Sequence, residues 1–228
     1  MSGSTGIWLC DPAAAGDNAS CIAAGMLAPA MEAALDPETG LDFSQLAAAR
    51  DLWSAFAQDA GIALDRSGAM LVGPDAERIA TTLQALGAAH RSLTGAEAAG
   101  LSAGLTPAHP AVLTLEDWRL DAPIALDRLT AVAAEAGAKI VLAAVTGFEG
   151  GRATLSNGET VAADGLVAAT GWGAATRWGA ALAPELAVLG PIKGQILRST
   201  AGPTHGPVVR GAGVYVAPGP QGAIIGAT

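Results

Sequence analysis

Short apolar runs and helical stripes follow one another along the chain, each closed by Gly, Pro or Asp. Ile7-Trp8-Leu9-Cys10 ends in Asp11-Pro12, which predicts a buried strand and then a turn. Residues 13–19 are small or polar and read as loop. Ser20 opens Cys21 to Leu27, expected as a short Ala-rich helix or tight turn closed by Pro29. From Phe43 to Ala60, Leu46, Ala49, Trp53, Phe56 and Ala60 form an amphipathic stripe, and Gly61 ends it. Ile62 to Val72 reads as strand with a break at Ser67-Gly68. A helix follows from Asp75 to Leu86, stopped by Gly87. Thr94 and Glu97 have capping-box spacing ahead of another short helix.

Val112 to Leu115 and Trp118 to Leu120 look extended. Asp121 caps a helix over Pro123 to Ala136, with Gly137 just beyond it. Ala138 to Ala144 and Val145 to Glu149 read as strands. Gly150-Gly151 and Ser156-Asn157-Gly158 are hairpin turns around Arg152 to Leu155. Leu166 to Thr170 is continuously apolar, the pattern of a strand buried on both faces. The last third is Gly/Pro-punctuated β: Gly194 to Ser199, Pro207 to Arg210, Val214 to Ala217 and Ala223 to Gly226. Interleaved βα and antiparallel β segments predict an α/β fold with an α+β layer.

Composition narrows the function classes. With 228 residues, 51% hydrophobic and 14% charged, the chain has the apolar content to build a core and is not a disordered segment. Its apolar stretches are broken within about a dozen residues, short of the ~20 that a spanning helix needs. A net charge of −9 argues against nucleic-acid binding, and Lys139 and Lys193 alone make no polybasic membrane patch. Cys10 and Cys21 match no zinc spacing, so no metal site is expected. Thiols and the lack of a basic, apolar leader fit a cytoplasmic protein.

Three places could carry chemistry. Asp11 at the end of the first strand could bond a ribose hydroxyl, as acidic strand ends do in dinucleotide folds; an Asp-Pro turn without a ligand is the alternative. Small residues from Ser20 to Met26 would let a ligand approach the backbone, or serve tight helix packing. Gly171-Trp172-Gly173-Ala174-Ala175-Thr176 half-matches G-x-G-x-x-G, but Thr176 stands at the third glycine and no βαβ unit follows.

Several segments together carry a family resemblance. In order they are Ile7-Trp8-Leu9-Cys10-Asp11-Pro12, Asn18-Ala19-Ser20, Ala23-Ala24-Gly25-Met26-Leu27-Ala28-Pro29, Trp118-Arg119-Leu120-Asp121 and Gly137-Ala138-Lys139-Ile140. After these come Val145-Thr146-Gly147-Phe148-Glu149, Leu166 to Trp172, Pro191-Ile192-Lys193-Gly194-Gln195, Val214-Tyr215-Val216-Ala217-Pro218 and Ile224 to Thr228. The chain resembles the D-amino-acid oxidase (DAO) superfamily of FAD-dependent oxidoreductases. The AAGML stretch is most similar to glycine oxidases of thiamine biosynthesis.

That resemblance implies FAD as cofactor and a small amino acid or amine as substrate. Asp11-Pro12 would lie at the adenosine ribose, and Ala19, Ser20, Ala24, Gly25 and Met26 along the pyrophosphate and isoalloxazine. Val145 would meet the adenine edge through its backbone, and Thr170 and Gly171 would sit near the pyrophosphate. Tyr215 would contact the substrate; without the family, a packed core tyrosine is the alternative. The implied organisation is a discontinuous FAD-binding half, residues 1–60 and 138–180, and a substrate half, residues 61–137 and 181–228. The flavin half is Rossmann-like but incomplete, and the other carries a mixed antiparallel sheet.

Relatives begin with a strand and Gly-rich turn ahead of the segment matching Ile7, and continue past the one matching Thr228. The chain is therefore expected to be a piece truncated at both ends that binds FAD weakly or not at all. Open edges of an incomplete sheet would invite self-association. The rival function is a flavin-free scaffold or interaction module.

Overall fold

The computed structural model describes residues 6–13, 17–37, 40, 42–106, 108–171, 185, 188–190 and 192–227. Its contacts divide the chain into two compact units, Met1–Asn18 with Thr130–Lys193, and Ala19–Leu129 with Gly194–Thr228.

In the first unit β1 (Trp8–Cys10) pairs in parallel with β7 (Lys139–Val141). Lys139 Nζ lies 4.5 Å from the centre of the Trp8 ring, a cation–π contact on this strand pair. A separate antiparallel meander joins β8 (Val145–Glu149), β9 (Arg152–Leu155) and β10 (Thr160–Ala162). Its two turns fall at Gly150-Gly151 and Ser156-Asn157-Gly158, where Gly150, Gly151 and Gly158 take positive φ. The expected strand at Leu166–Thr170 is not formed. Residues 165–170 are unpaired among the described residues, and Val167 is 89% exposed. A continuous apolar run becomes a two-face-buried strand only between two neighbouring strands, and the described parallel sheet here has only β1 and β7.

The second unit is built on a seven-stranded mixed sheet. Its strands are β3 (Ala69–Val72), β4 (His90–Leu93), β5 (Ala111–Thr114), β11 (Ile196–Ser199), β12 (Val208–Gly211), β13 (Val214–Gly219) and β14 (Gly222–Ala227). The order is β11-β14-β13-β12-β3-β5-β4, antiparallel except for one parallel seam between β12 and β3. Period-2 alternation sorts the side chains. Ala69, Leu71, Val112, Val208, Tyr215, Ala217 and Ile224 share one core cluster with Ala30, Met31 and Ala34 of α2 (Pro29–Leu35) and Ile79 and Leu83 of α4 (Ala76–Ala85). A second cluster, Met70, Leu93, Ala111 and Leu113, holds Ala98 of α5 (Gly95–Leu101). Each fully buried Leu, Ile or Met contributes about 1.5–3 kcal/mol of burial free energy, so α2 and α4 are held by their apolar faces.

Local signals place most helices. Asp42 caps α3 (Phe43–Ala60), its carboxylate accepting from the Ser44 N–H at 2.8 Å, and Gly61 closes the helix at φ +67°. Thr94 and Glu97 form the capping box of α5, and Asp121 accepts from the Ile124 N–H at the start of α6 (Ala122–Glu135).

Four expectations need correction. Pro29 begins α2 instead of closing a helix, because the first helical position needs no N–H. Its predecessor α1 spans only Ala19–Ile22. The inner face of α3 is rotated from the expected stripe: Arg50, Ala57 and Ala60 are buried, while Ala49 and Phe56 are exposed. Arg50 takes the central position because its guanidinium reaches the Glu116 carboxylate at 2.8 Å and lies 4.5 Å from the Trp118 ring centre. Finally, of Ile62 to Val72 only β3 is strand, Asp65 forming a lone bridge to Arg119, and β4 was not anticipated at all. Among the described residues no helix is long and apolar enough to cross a membrane.

Candidate functional site

The sequence-predicted residues fall in both units. In the first, Asp11 stands at the end of β1, its N–H bonded to the Val141 carbonyl at 3.0 Å. Its Oδ1 accepts from the Ala13 N–H at 2.9 Å; the side chain is exposed, as is Pro12. Val145 opens β8 half-buried, paired with Leu155. Thr170 and Gly171 are exposed, with Gly171 at φ +54°. Of the half-matched glycine motif only Gly171 lies within the described residues.

In the second unit, Ala19 and Ser20 are exposed on α1, Ala24 is buried, and Gly25 and Met26 are half-buried. Gly25 adopts φ +71° and its backbone presses on Leu120, whose N–H donates to the Gly25 carbonyl at 2.9 Å. The next two residues form β2 (Met26–Leu27), antiparallel to β6 (Trp118–Arg119). The helix α2 then begins at Pro29 with no side-chain cap from Ala28.

A buried polar cluster that sequence reasoning missed lies beneath this stretch. The Asp117 carboxylate, 2% exposed, accepts from the Ala30 N–H at 2.8 Å and the Met31 N–H at 3.2 Å. Arg210, 3% exposed, donates to Glu32 of α2 at 2.6 Å and to the Met26 sulfur at 3.6 Å; its Nε is buried with no partner among the described residues. Tyr215 is the cross-strand neighbour of Arg210 and lies over Gly226, where a Cβ would overlap the phenol.

Tyr215 is 7% exposed on the helix-covered face, whereas Val214, 44% exposed, is on the more open one. The alternation expected of these residues holds, but the valines do not take the covered side. Burial raises the phenol's pKa, with the Arg210 charge opposing and the Glu32 charge adding to the shift.

Period 2 would have put Arg210 on the face of Val208, so that signal was present. Asp117 gave none, because Glu116-Asp117 reads as an ordinary solvated acidic pair. A cavity of about 430 Å³ opens beside the ends of β3 and β12, lined by Gly73, Asp75, His109, Arg210 and Val214 among others. None of the predicted site residues lines it.

The Asp117 environment yields a pH prediction. Burial pushes its pKa up to about 6, against the opposing hydrogen bonds of Ala30 and Met31 and the charge of Arg210. The folded state thus holds this proton more tightly than the unfolded chain between about pH 4 and 6. The contribution to stability is complete below about pH 4 and lost as pH rises through about 6, on the order of 3 kcal/mol in size. Asp117→Asn has no such proton. Denaturant unfolding should therefore show wild type gaining on the variant by about 2 kcal/mol from pH 7.5 to 4.5. A constant difference would refute the assignment.

No curated protein sequence matches this chain. The glycine oxidase of Geobacillus kaustophilus is similar at 25% identity and TM-score 0.72, over 96% of this chain and 63% of that one. The iminodiacetate oxidase of Chelativorans sp. BNC1 aligns at 20% identity and TM-score 0.73, over 99% of this chain and 65% of that one. An FAD-bound L-alpha-glycerophosphate oxidase from Mycoplasma pneumoniae shares the fold at 15% identity and TM-score 0.69, over 96% of this chain and 64% of that one. The chain thus spans under two thirds of the length of these structures. The model of the DAO family, described as FAD dependent oxidoreductase, matches residues 4–228. With that match across nearly its whole length, the chain belongs to the DAO family of FAD-dependent oxidoreductases.

Proposed function

We propose that this protein is an FAD-dependent oxidase of small amino acids or amines, similar to glycine oxidase. The family match over residues 4–228 carries this reading, supported by the likeness to a glycine oxidase at 25% identity. The chemistry supplied by bound FAD is acceptance of hydride from the substrate's α-carbon, leaving an imine that water hydrolyses, with dioxygen as final oxidant. This chain would bind and orient. Asp11 fits a ribose hydroxyl: one carboxylate oxygen is engaged by Ala13, and among the described residues the other is open on an exposed strand end. Ala19, Ser20, Ala24, Gly25 and Met26 offer little side-chain bulk other than Met26 itself, so a pyrophosphate and flavin ring could approach the backbone. The Val145 backbone would meet the adenine edge, with Pro12, Thr170 and Gly171 beside the nucleotide. The Tyr215 phenol would orient the substrate carboxylate by donating a hydrogen bond. A glycine-oxidase activity would serve thiamine biosynthesis in the cytoplasm.

The test is optical. Protein supplied with excess FAD should hold a chromophore absorbing near ~450 nm that glycine or sarcosine bleaches without oxygen. Tyr215→Phe should raise KM roughly three- to tenfold at unchanged flavin content, the loss of one neutral hydrogen bond. A bound flavin that no small amine bleaches would overturn the substrate class.

A second reading, a flavin-free interaction module, is favoured by the exposed Ile7, Leu142 and Val167 of the first unit. Both outer edges of the β1–β7 pair lack strand partners among the described residues, which would also support self-association. Failure to take up FAD would favour this reading.

A further inference from the structure

We propose that Asp117 is a positioning residue for the Gly25–Leu27 loop, holding in place the stretch that would face the flavin. The inference rests on the reading of Ala24, Gly25 and Met26 as flavin-facing. What carries it is a continuous antiparallel zipper between two short segments. Leu120 N–H meets the Gly25 carbonyl, Met26 pairs with Arg119, and Leu27 pairs with Trp118. Asp117 directly precedes Trp118 on the paired segment, and its carboxylate accepts from the Ala30 and Met31 amides of α2, three and four residues past Leu27. The loop is thus fastened at both ends, at Gly25 by backbone and beyond Leu27 by one side chain.

The choice of cap is informative. With Pro29 at the first helical position, only Ala30 and Met31 need acceptors before the helix's own ladder begins, Glu32 N–H already bonding Ala28. A Ser, Thr or Asn in place of Ala28 would satisfy one of them locally, with no buried charge. Here a carboxylate 87 residues from Ala30 does so from a site almost without water, which is a costly way only to cap seven residues. A remote cap does something a local one cannot: it sets where the helix starts relative to another strand.

That strand is itself immobilised. Arg119 exchanges two backbone hydrogen bonds with Asp65, at 2.7 and 2.8 Å, and its guanidinium meets the Asp65 carboxylate at 2.8 Å. The Arg50 and Arg66 guanidinium groups both lie over the Trp118 ring, 4.5 and 4.2 Å from its centre. Asp117 therefore transmits the position of a rigid element to the loop. Preorganised backbone of this kind binds a ligand without having to order at the moment of binding.

Amide hydrogen exchange tests the proposal, using wild type, Asp117→Ala and Asp117→Asn, each without and with millimolar FAD. Asp117→Ala should accelerate exchange at Ala30 and Met31 and also at Leu120 and across Gly25–Leu27, at least tenfold relative to amides of α3 and β5. Asp117→Asn keeps one acceptor and should show less than a third of that acceleration. FAD should protect Gly25–Leu27 in wild type and Asp117→Asn, and not in Asp117→Ala. If Asp117→Ala does not fold, Asp117→Asn decides: exchange faster than wild type at Leu120 and across Gly25–Leu27 as well as at Ala30 and Met31 supports the role, and acceleration confined to Ala30 and Met31 overturns it. Acceleration confined to Ala30 and Met31, or uniform across the protein, overturns the positioning role, as does equal FAD protection of wild type and Asp117→Ala. If FAD leaves the wild-type loop unprotected while Asp117→Ala still loosens it, the flavin reading fails and Asp117 is only a structural clamp.

Discussion

Gly25→Ala should lower stability by about 3–5 kcal/mol, as large a loss as truncating a buried leucine. Two independent costs coincide at this position. At φ +71° an L-residue is strained by roughly 1–2 kcal/mol. In addition, an ideal Cβ would overlap the Leu120 carbonyl, which is backbone and cannot rotate away. Relief requires parting Gly25 from Leu120, which breaks their hydrogen bond and the adjoining β2–β6 pairing. At Gly61, also at positive φ, a Cβ would meet only the movable end of Arg128 at 3.2 Å, so Gly61→Ala should cost about 1 kcal/mol. Denaturant midpoints of the two variants decide the point: equal losses would show that the Leu120 contact is not the constraint.

Removing the Glu32 carboxylate should be the next most damaging change. Arg210 is almost fully buried, and Glu32, 48% exposed, is its ion-pair partner among the described residues. Glu32→Ala removes the ion-pair partner of the buried guanidinium and leaves it only the longer-range charge of Asp117, a loss of about 3 kcal/mol, at the lower end of the range for broken buried pairs because Glu32 keeps some water. Arg210→Met removes the charge together with the Nε that has no partner, and should cost about 1 kcal/mol or less. The double variant Glu32→Ala, Arg210→Met should then be more stable than Glu32→Ala alone. A double variant at least as unstable as the sum of the singles would show that Arg210 does not need its carboxylate.

How much of this was legible depends on where each signal sits along the chain. α3, α4, α5 and α6 were readable because their start and stop residues are their own neighbours: Asp42 and Gly61, Asp75 and Gly87, Thr94 with Glu97, Asp121 and Gly137. The hairpin turns around β9 were readable for the same reason. α2 was not, because its cap comes from Asp117 and its own Ala28 says nothing. Leu166–Thr170 has the composition of a buried strand, but pairing is a property of neighbours that composition does not supply. The family was legible from motif order, and the match over residues 4–228 bears it out. Of the polar cluster only Arg210 was signalled, by its alternation with Val208; Asp117 was not, since an acidic residue is solvent-exposed by default and only tertiary structure encloses this one.

The parallel seam between β12 and β3 has a consequence for how the chain is made. β3, β5 and β4 form one antiparallel block early in the sequence, and β11 to β14 form another at its end. Three registered pairs, Val208 with Ala69, Val209 with Met70 and Arg210 with Leu71, join the blocks across all the residues between. On the ribosome, at ~5–20 residues per second, the first block, complete at Thr114, must wait roughly 5–20 s for its seam partner β12. Throughout that interval the β3 edge is an unpaired apolar template, the kind of surface that chaperones occupy and that neighbouring nascent chains can pair with. Synthesis rate and chaperone supply should therefore govern the soluble yield of this protein more strongly than its final stability does.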